Sequence, residues 1–128
     1  MDKKTIGDKG ESFAVRLYEK SGYTVTDRNY HSRYGEIDLI AESETEICFV
    51  EVKTRNLSSM GKPSEAVDYR KQKKLTLTAM KYLGEKECFK QPRFDVLEIW
   101  QQDGKLIRYN LIENAFYAED FAGQYDLF

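Results

Sequence analysis

Residues Gly35 to Arg55 read GEIDLIAESETEICFVEVKTR, and this stretch decides the fold. Ile37, Leu39 and Ala41 alternate with Glu36, Asp38 and Ile40. After the acidic turn Glu42 to Glu46, Ile47, Phe49, Glu51 and Lys53 alternate with Cys48, Val50 and Val52. Side chains along a strand have a period of two. The pattern therefore predicts two strands joined by a polar turn. Asp38 is expected on one face of the first strand, and Glu51 and Lys53 together on one face of the second. If the strands pair as a hairpin, two carboxylates and an ammonium converge at one end of a sheet. Both strands are otherwise apolar, and a charge set into such a pattern calls for a partner, a metal or a function.

Upstream, Ile6 to Ser21 reads as a helix, with Ile6, Gly10, Phe13, Ala14 and Leu17 on one stripe and Gly22 as its stop. Glu11 sits at the edge of that stripe. It reads either as a solvated first-turn acid favoured by the helix dipole or as a carboxylate reaching towards the sheet. Tyr23 to Asn29 reads as a strand, and Tyr30 to Tyr34 as a polar connection into the hairpin. The cations Arg28, His31 and Arg33 in and beside it suit either solvent or phosphates.

Downstream, Asn56 to Ser64 is the long loop signal, with Ser, Gly and Pro together, and it carries Lys62. Glu65 to Leu83 reads as a second helix with Leu75, Ala79, Tyr82 and Leu83 on its apolar stripe and Gln72 on the same stripe. Between Lys62 and Lys90 eight Lys or Arg face four Asp or Glu, densest at Arg70, Lys71, Lys73 and Lys74. That run is either a solvated helix face with pairs such as Lys81 with Glu85 or a phosphate-binding flank. Arg93 to Gln101 is a fourth strand, Asp103-Gly104 a tight turn, and Lys105 to Ile112 a fifth strand in a hairpin with it. Asn114 to Phe121 is a short aromatic piece expected to pack on the sheet. The expectation is an α/β protein with a mixed sheet and helices packed on it, in the order αβββαββ, with residues 1–122 as one domain and 123–128 as a tail.

A chain of 128 residues with 41% hydrophobic and 13% aromatic residues suits one domain with a real core. The net charge of -2 gives no bulk signal for nucleic acid, so any basic surface is local. Cys48 and Cys88 lack metal-ligand spacing and read as reduced thiols. The single histidine, His31, leaves a zinc site or a nucleophile triad poorly supplied. No run approaches membrane-spanning length, and the expected location is cytoplasmic, including association with the nucleoid.

An Asp, twelve residues, then Glu-Val-Lys is a divalent-metal arrangement. Hard cations such as Mg²⁺ take oxygen ligands and keep several waters. Asp38 and Glu51 offer carboxylates and Val52 a backbone carbonyl, while Lys53 can hold a water or offset charge on a phosphate. Metal-assisted phosphodiester hydrolysis fits these roles. A surface salt-bridge hairpin is the plain alternative, and it leaves the clustering of charges inside an apolar alternation unexplained.

GEIDLIA followed by FVEVKTR resembles the PD-(D/E)XK nuclease signature, with Ile-Asp where the pattern has Pro-Asp. The whole chain resembles the YraN-like family of small bacterial proteins, predicted to be endonuclease-like and related in fold to archaeal Holliday-junction resolvases and restriction endonucleases. Gly10-Glu11 and Ala14, Arg28-Asn29, Lys71-Gln72 with Tyr82-Leu83, and Arg93-Phe94-Asp95-Val96 extend the resemblance along nearly the whole chain. It implies a restriction-endonuclease-like three-layer core and an Mg²⁺- or Mn²⁺-dependent nuclease acting on branched or structured DNA in repair or recombination. It matches Glu11 to a helix acid that joins the metal site, Asp38, Glu51 and Lys53 to the core motif, and Gln72 to a helix position facing the site. Glu36 is a weaker candidate on the Asp38 face. Arg33, Arg55, Lys62, Arg70, Lys71, Lys73 and Lys74 are the expected DNA contacts. A non-catalytic DNA-binding adaptor and a structural partner in a larger complex stay open as alternatives. A symmetric junction cutter implies a dimer, but no dimer face is legible.

The chain closes Gln124-Tyr125-Asp126-Leu127-Phe128 after Gly123, which resembles the pentapeptide that binds the bacterial sliding clamp. Gln124 suits a polar notch, and Leu127 and Phe128 suit an apolar pocket. A tail folded back on its own sheet is the equal alternative.

Overall fold

Asp2 opens the first helix: its carboxylate accepts from the Thr5 N–H at 2.8 Å, and α1 runs Lys3–Lys20. Gly22, with φ +91°, ends the element in the left-handed conformation that a glycine adopts without strain. The computed structural model describes residues 2–60 and 67–117. Lys62 and the tail residues Gln124, Leu127 and Phe128 lie outside the described residues, as does the expected boundary at 122.

Five strands follow: β1 Thr24–Ser32, β2 Gly35–Glu42, β3 Glu46–Asn56, β4 Gln91–Gln102 and β5 Lys105–Phe116, with the helix α2 Tyr69–Glu85 between β3 and β4. They form one mixed sheet in the order β1-β2-β3-β4-β5. Only β3 and β4 are parallel, and α2 supplies the crossover that a parallel pair requires. The turn between β2 and β3 is closed by Ser43, whose hydroxyl accepts from the Glu46 N–H at 3.0 Å. Asp103 and Gly104 turn β4 into β5, both with positive φ, as a two-residue hairpin turn demands.

The core has two halves, one on each face of the sheet. Leu75, Ala79 and Tyr82 of α2 pack on Ile37, Ile40, Ile47, Phe49, Phe94 and Phe116. Ala14 and Tyr18 of α1 pack on Leu39, Ala41, Cys48, Val50, Leu97 and Ile99. A fully buried aliphatic or aromatic side chain contributes about 1.5–3 kcal/mol, so each helix is held by its stripe rather than by its own propensity. The result is the three-layer αβββαββ arrangement expected of a restriction-endonuclease-like core. Among the described residues no helix is long and apolar enough to cross a membrane. Cys48 and Cys88 are both free.

Besides β1 running on to Ser32, through residues expected as a connection, and α2 opening at Tyr69 after the Asp68 cap, three details depart from the sequence pattern. β5 does not stop at Ile112 but continues to Phe116, whose ring stacks on Phe94 at 4.6 Å. Residues 114–116 of the expected separate aromatic piece therefore belong to the strand. Asn114 takes a positive φ, and its N–H donates to Asp95 at 3.2 Å, which carries the strand across this irregularity. The strict alternation of Ile37 with Leu39 also fails. Leu39 belongs to the α1 half of the core, whereas Ile37 belongs to the α2 half. The opposing strand changes face with it: Arg28 reaches Glu11 on α1, whereas the Tyr30 ring meets Tyr82 on α2. The switch falls at Asn29, in the left-handed region with φ +51°, opposite Asp38 between the pairs Arg28↔Leu39 and Tyr30↔Ile37. Thirdly, the buried stripe of α1 is Gly10, Ala14 and Tyr18; Ile6, Phe13 and Leu17 flank it, half-buried.

Gly10 is the tightest point of this packing. A Cβ there would stand 2.4 Å from the Thr54 hydroxyl oxygen, inside any real contact. Gly10→Ala is expected to lower stability by about 1–2 kcal/mol, overpacking outweighing the gain in helix propensity. In a Thr54→Ala background the hydroxyl is gone, and Gly10→Ala is expected to be neutral or stabilising by up to about 1 kcal/mol. Urea denaturation of the four variants measures this. Additive effects in the double variant would show that the close approach is not what selects glycine.

Candidate active site

The ladder between β2 and β3 runs from Glu42↔Ile47 to Leu39↔Val50 and stops there. Beyond it the strands diverge, and the Asp38 side chain enters the opening: its Oδ2 accepts from the Val52 N–H at 2.8 Å. An extended residue points its N–H and C=O to the same edge, so the Val52 carbonyl faces this gap too. Glu51 precedes Val52 on β3 and faces α2, with only 8% of its surface exposed. Its Oε1 lies 2.6 Å from the ammonium of Lys71 in the first turn of α2.

Asp38 is the perturbed group of the site. Burial pushes its carboxyl up to about 7; the charge of Glu51 adds to this, the Val52 N–H opposes it, and Glu11 and Glu36 raise it further. All three other acids are thus felt at Asp38. They are not gathered into one cage. Among the described residues no group of three His, Cys, Asp or Glu side chains stands close enough to hold a metal. Glu11 is turned to β1, where Asn29 Nδ2 donates to it at 2.9 Å and Arg28 lies 3.9 Å away. Glu36 is exposed at the hairpin tip, 3.3 Å from His31. The oxygen donors at the gap are therefore Asp38, Glu51 and the Val52 carbonyl, with Glu11 an electrostatic neighbour.

Lys53 follows Glu51 by two positions, on the same face and opposite Glu98 of β4. Arg55 comes next on that face, 3.7 Å from Glu98. Gln72 faces the sheet side of α2, but its amide donates to the Val67 carbonyl at 2.8 Å and so pins the entry of the helix. An open cavity of about 510 Å³ adjoins the gap, lined by Gly35, Glu36, Glu51, Asp68, Arg70, Lys71, Lys74 and Leu75. Arg70, Lys71 and Lys74 are thus brought to one wall of it. Lys73 is half-buried and outside that lining, and Arg33 lies at the hairpin tip with its guanidinium on the Tyr34 hydroxyl at 2.7 Å. The opposite wall exists because the hairpin tip leans on α2. The Ser32 and Thr78 hydroxyls are 3.0 Å apart, and a Cβ on Gly35 would touch Lys74 and Thr78.

Known proteins resemble this chain in sequence. A match to the uncharacterised protein family UPF0102 covers residues 10–99. The chain belongs to the UPF0102 family. It is 44% identical to a UPF0102 protein of Caldanaerobacter subterraneus subsp. tengcongensis, over 91% of this chain and 98% of that protein. A UPF0102 protein of Syntrophomonas wolfei subsp. wolfei is 43% identical, over 88% and 98% of the two chains. A third, from Dictyoglomus thermophilum, is 38% identical over 91% and 100%. The span that carries the UPF0102 match opens at Gly10, which seats α1 on Thr54, and closes at Ile99.

Two parts of the site escape strand-period reasoning. Asn29 both takes the left-handed turn opposite Asp38 and holds Glu11; asparagine is among the few residues that tolerate such a φ, and that was its signal. Lys71 pairs with Glu51 and is more than a surface cation. Its signal was a lysine in a helix first turn, where the dipole disfavours positive charge.

The pH dependence of Asp38 has a definite sign. Its pKa is raised from 3.8 to about 7, so the folded state holds this proton more tightly than the unfolded chain. The associated stability is fully present below about pH 4 and is lost as pH rises through about 7. Asp38→Asn keeps an acceptor for the Val52 N–H and carries no charge. In EDTA the variant is expected to match wild type near pH 4 and to exceed it at pH 8 by a few kcal/mol, at roughly 1.4 kcal/mol per pKa unit. Denaturant melts across this range measure it. Parallel pH profiles for the two proteins would show that Asp38 is not held in its acid form.

Proposed function

We propose that the protein is an endonuclease-like phosphodiesterase dependent on Mg²⁺ or Mn²⁺ that acts on DNA, with branched or structured repair and recombination intermediates as its substrates. The observation that carries this reading is the convergence of Asp38 and Glu51 from two diverging strands on one gap, with Asp38 buried enough to hold its proton near neutrality. The donor set fits the ion. Mg²⁺ is usually bound by one or two carboxylates with several retained waters and substrate phosphates, not by an all-protein cage. Asp38, Glu51 and the Val52 carbonyl would hold it, with Glu11 adding negative potential. When bound, such an ion supplies positive charge to a phosphoryl oxygen and a more acidic water.

The chain's own residues supply the rest. Lys53, on the Glu51 face, offsets charge on the phosphate under attack. Arg70, Lys71 and Lys74 on the cavity wall bind flanking phosphates, and Arg33, Arg55, Lys62 and Lys73 are the further DNA contacts of this reading. Gln72 acts by fixing the entry of α2 through Val67. A non-catalytic DNA-binding adaptor is supported by a different observation: Glu51 is paired with the Lys71 ammonium and Glu11 with the Asn29 amide.

The two readings separate in one experiment. Labelled single-stranded, flapped, forked and four-way DNAs are incubated with the protein in Mg²⁺ or Mn²⁺. Cleavage of a branched substrate is expected, with a loss of at least a hundredfold in Glu51→Gln, in line with the several kcal/mol a metal supplies. Lys53→Ala is expected to lower turnover with little change in DNA affinity. Binding without cleavage by wild type selects the adaptor, and no binding at low salt removes DNA from both readings.

The partner proposed for Gln124, Leu127 and Phe128 is the bacterial sliding clamp, which would raise local concentration on DNA. Intact protein is expected to bind a β clamp at about micromolar affinity, roughly -8 kcal/mol, and protein lacking its last five residues is not. Equal binding by both, or by neither, rules the tether out.

A further inference from the structure

The Lys71–Glu51 contact joins the most buried acid side chain at the gap to a cation that is itself half exposed. Glu51 keeps 9% of its side-chain surface, Lys71 47%, and their charged atoms stand 2.6 Å apart. Lys71 is the third residue after the Asp68 cap, whose carboxylate accepts its backbone N–H at 2.8 Å. The first turn of α2 contains no acid, and positive charge there is opposed by the helix dipole. The position is therefore poor for a lysine on local grounds, and the contact with Glu51 is what compensates it. Burial alone would lower the basicity of the ammonium, but the hydrogen bond and charge of Glu51, with Asp38 and Glu36 behind it, raise it overall. The exposed side of the ammonium opens on the cavity that Arg70 and Lys74 also line.

We infer that Lys71 is an exchangeable internal cation, which neutralises Glu51 and competes with a divalent cation for it. This rests on the metal-dependent reading proposed above. The physical argument is one of competition. An ammonium 2.6 Å from Oε1 occupies a lone pair of the carboxylate and sets a like charge beside the place that a cation would take, at the roughly 2.1 Å that Mg²⁺ requires. Removing Lys71 entirely would leave a buried carboxylate without a counter-charge, which is costly. A long, half-exposed lysine satisfies both demands, since its stem can stay on the helix surface while its head moves to the cavity. There a phosphate of the substrate is the natural acceptor. Metal entry and phosphate entry are then coupled: an anion that draws Lys71 away frees Glu51.

The test reads metal affinity without turnover. Mn²⁺ is titrated calorimetrically into EDTA-stripped wild type, Lys71→Gln, Lys71→Arg and Lys74→Gln, with circular dichroism to establish folding. Lys71→Gln is expected to bind Mn²⁺ about tenfold more tightly than wild type. Lys71→Arg, which keeps a cation in place, should not gain, and Lys74→Gln, which removes a charge from the same wall without touching Glu51, should gain less than threefold. Thermal melts supply a second readout. Lys71→Gln should melt below wild type in EDTA and recover more than wild type when Mn²⁺ is added. Unchanged or weaker affinity in Lys71→Gln while wild type binds overturns the exchange and leaves the metal reading standing. Equal gains in Lys71→Gln and Lys74→Gln also overturn it, since general electrostatics then explain both. Absence of Mn²⁺ binding in wild type and every variant overturns the exchange together with the metal reading.

Discussion

The hydrogen bond from the Val52 N–H to the Asp38 carboxylate stands where one main-chain ladder ends, and the candidate site is arranged around that ending. In an uninterrupted antiparallel sheet β2 would continue along β3 and use the groups facing it in ladder bonds. Here the strands part after Leu39↔Val50, and a side chain takes over from the main chain. The parting is enforced on both sides of β2. Asn29 turns left-handed opposite Asp38, so β1 and β2 exchange faces together, and the hairpin tip swings over α2. The opening, its buried carboxylates and its outer wall are consequences of that one local change of strand geometry.

The acids of this region are compensated in different ways, which explains how they coexist. Glu51 has the Lys71 ammonium. Glu11 has the Asn29 amide and the more distant Arg28. Asp38 accepts from a main-chain N–H in buried surroundings, and its pKa is driven up to about 7. Like charges sharing a low-dielectric site cannot all stay ionised at no cost, and proton uptake by one member relieves it. On the proposed metal-dependent reading, the Lys71 ammonium and the Asp38 proton are the compensations that an incoming cation would replace.

The α1 face of the sheet carries a charge network built for permanence. Asp95, 1% exposed, takes the Arg93 guanidinium at 2.9 Å, the Tyr18 hydroxyl and the Asn114 N–H. This network ties α1, β4 and β5 to one another, and its ions have fixed partners. Breaking such a buried pair by removing one member typically costs about 3–5 kcal/mol. Together with the Gly10–Thr54 approach it fixes α1 on the sheet, and α1 carries Glu11.

Much of this was legible in the linear sequence, because the relevant forces are local or periodic. Alternating apolar residues specified β2 and β3, an apolar stripe at helical spacing specified α1 and α2, and Asp103-Gly104 specified the last hairpin. The charges at Asp38, Glu51 and Lys53 stood out because they broke an apolar alternation, and the two-residue period places Glu51 and Lys53 on one face of β3. The sequence could not say that Ile37 and Leu39 face opposite ways, because that depends on a left-handed Asn29 in a neighbouring strand. Nor could it say that Gln72 bonds Val67, that Lys71 touches Glu51, or that Arg93 and Asp95 close a buried network with Tyr18. Periodicity reports which face a residue occupies. Which charge meets which across elements 20 to 77 residues apart is decided only when the chain packs and burial leaves each ion its nearest available partner.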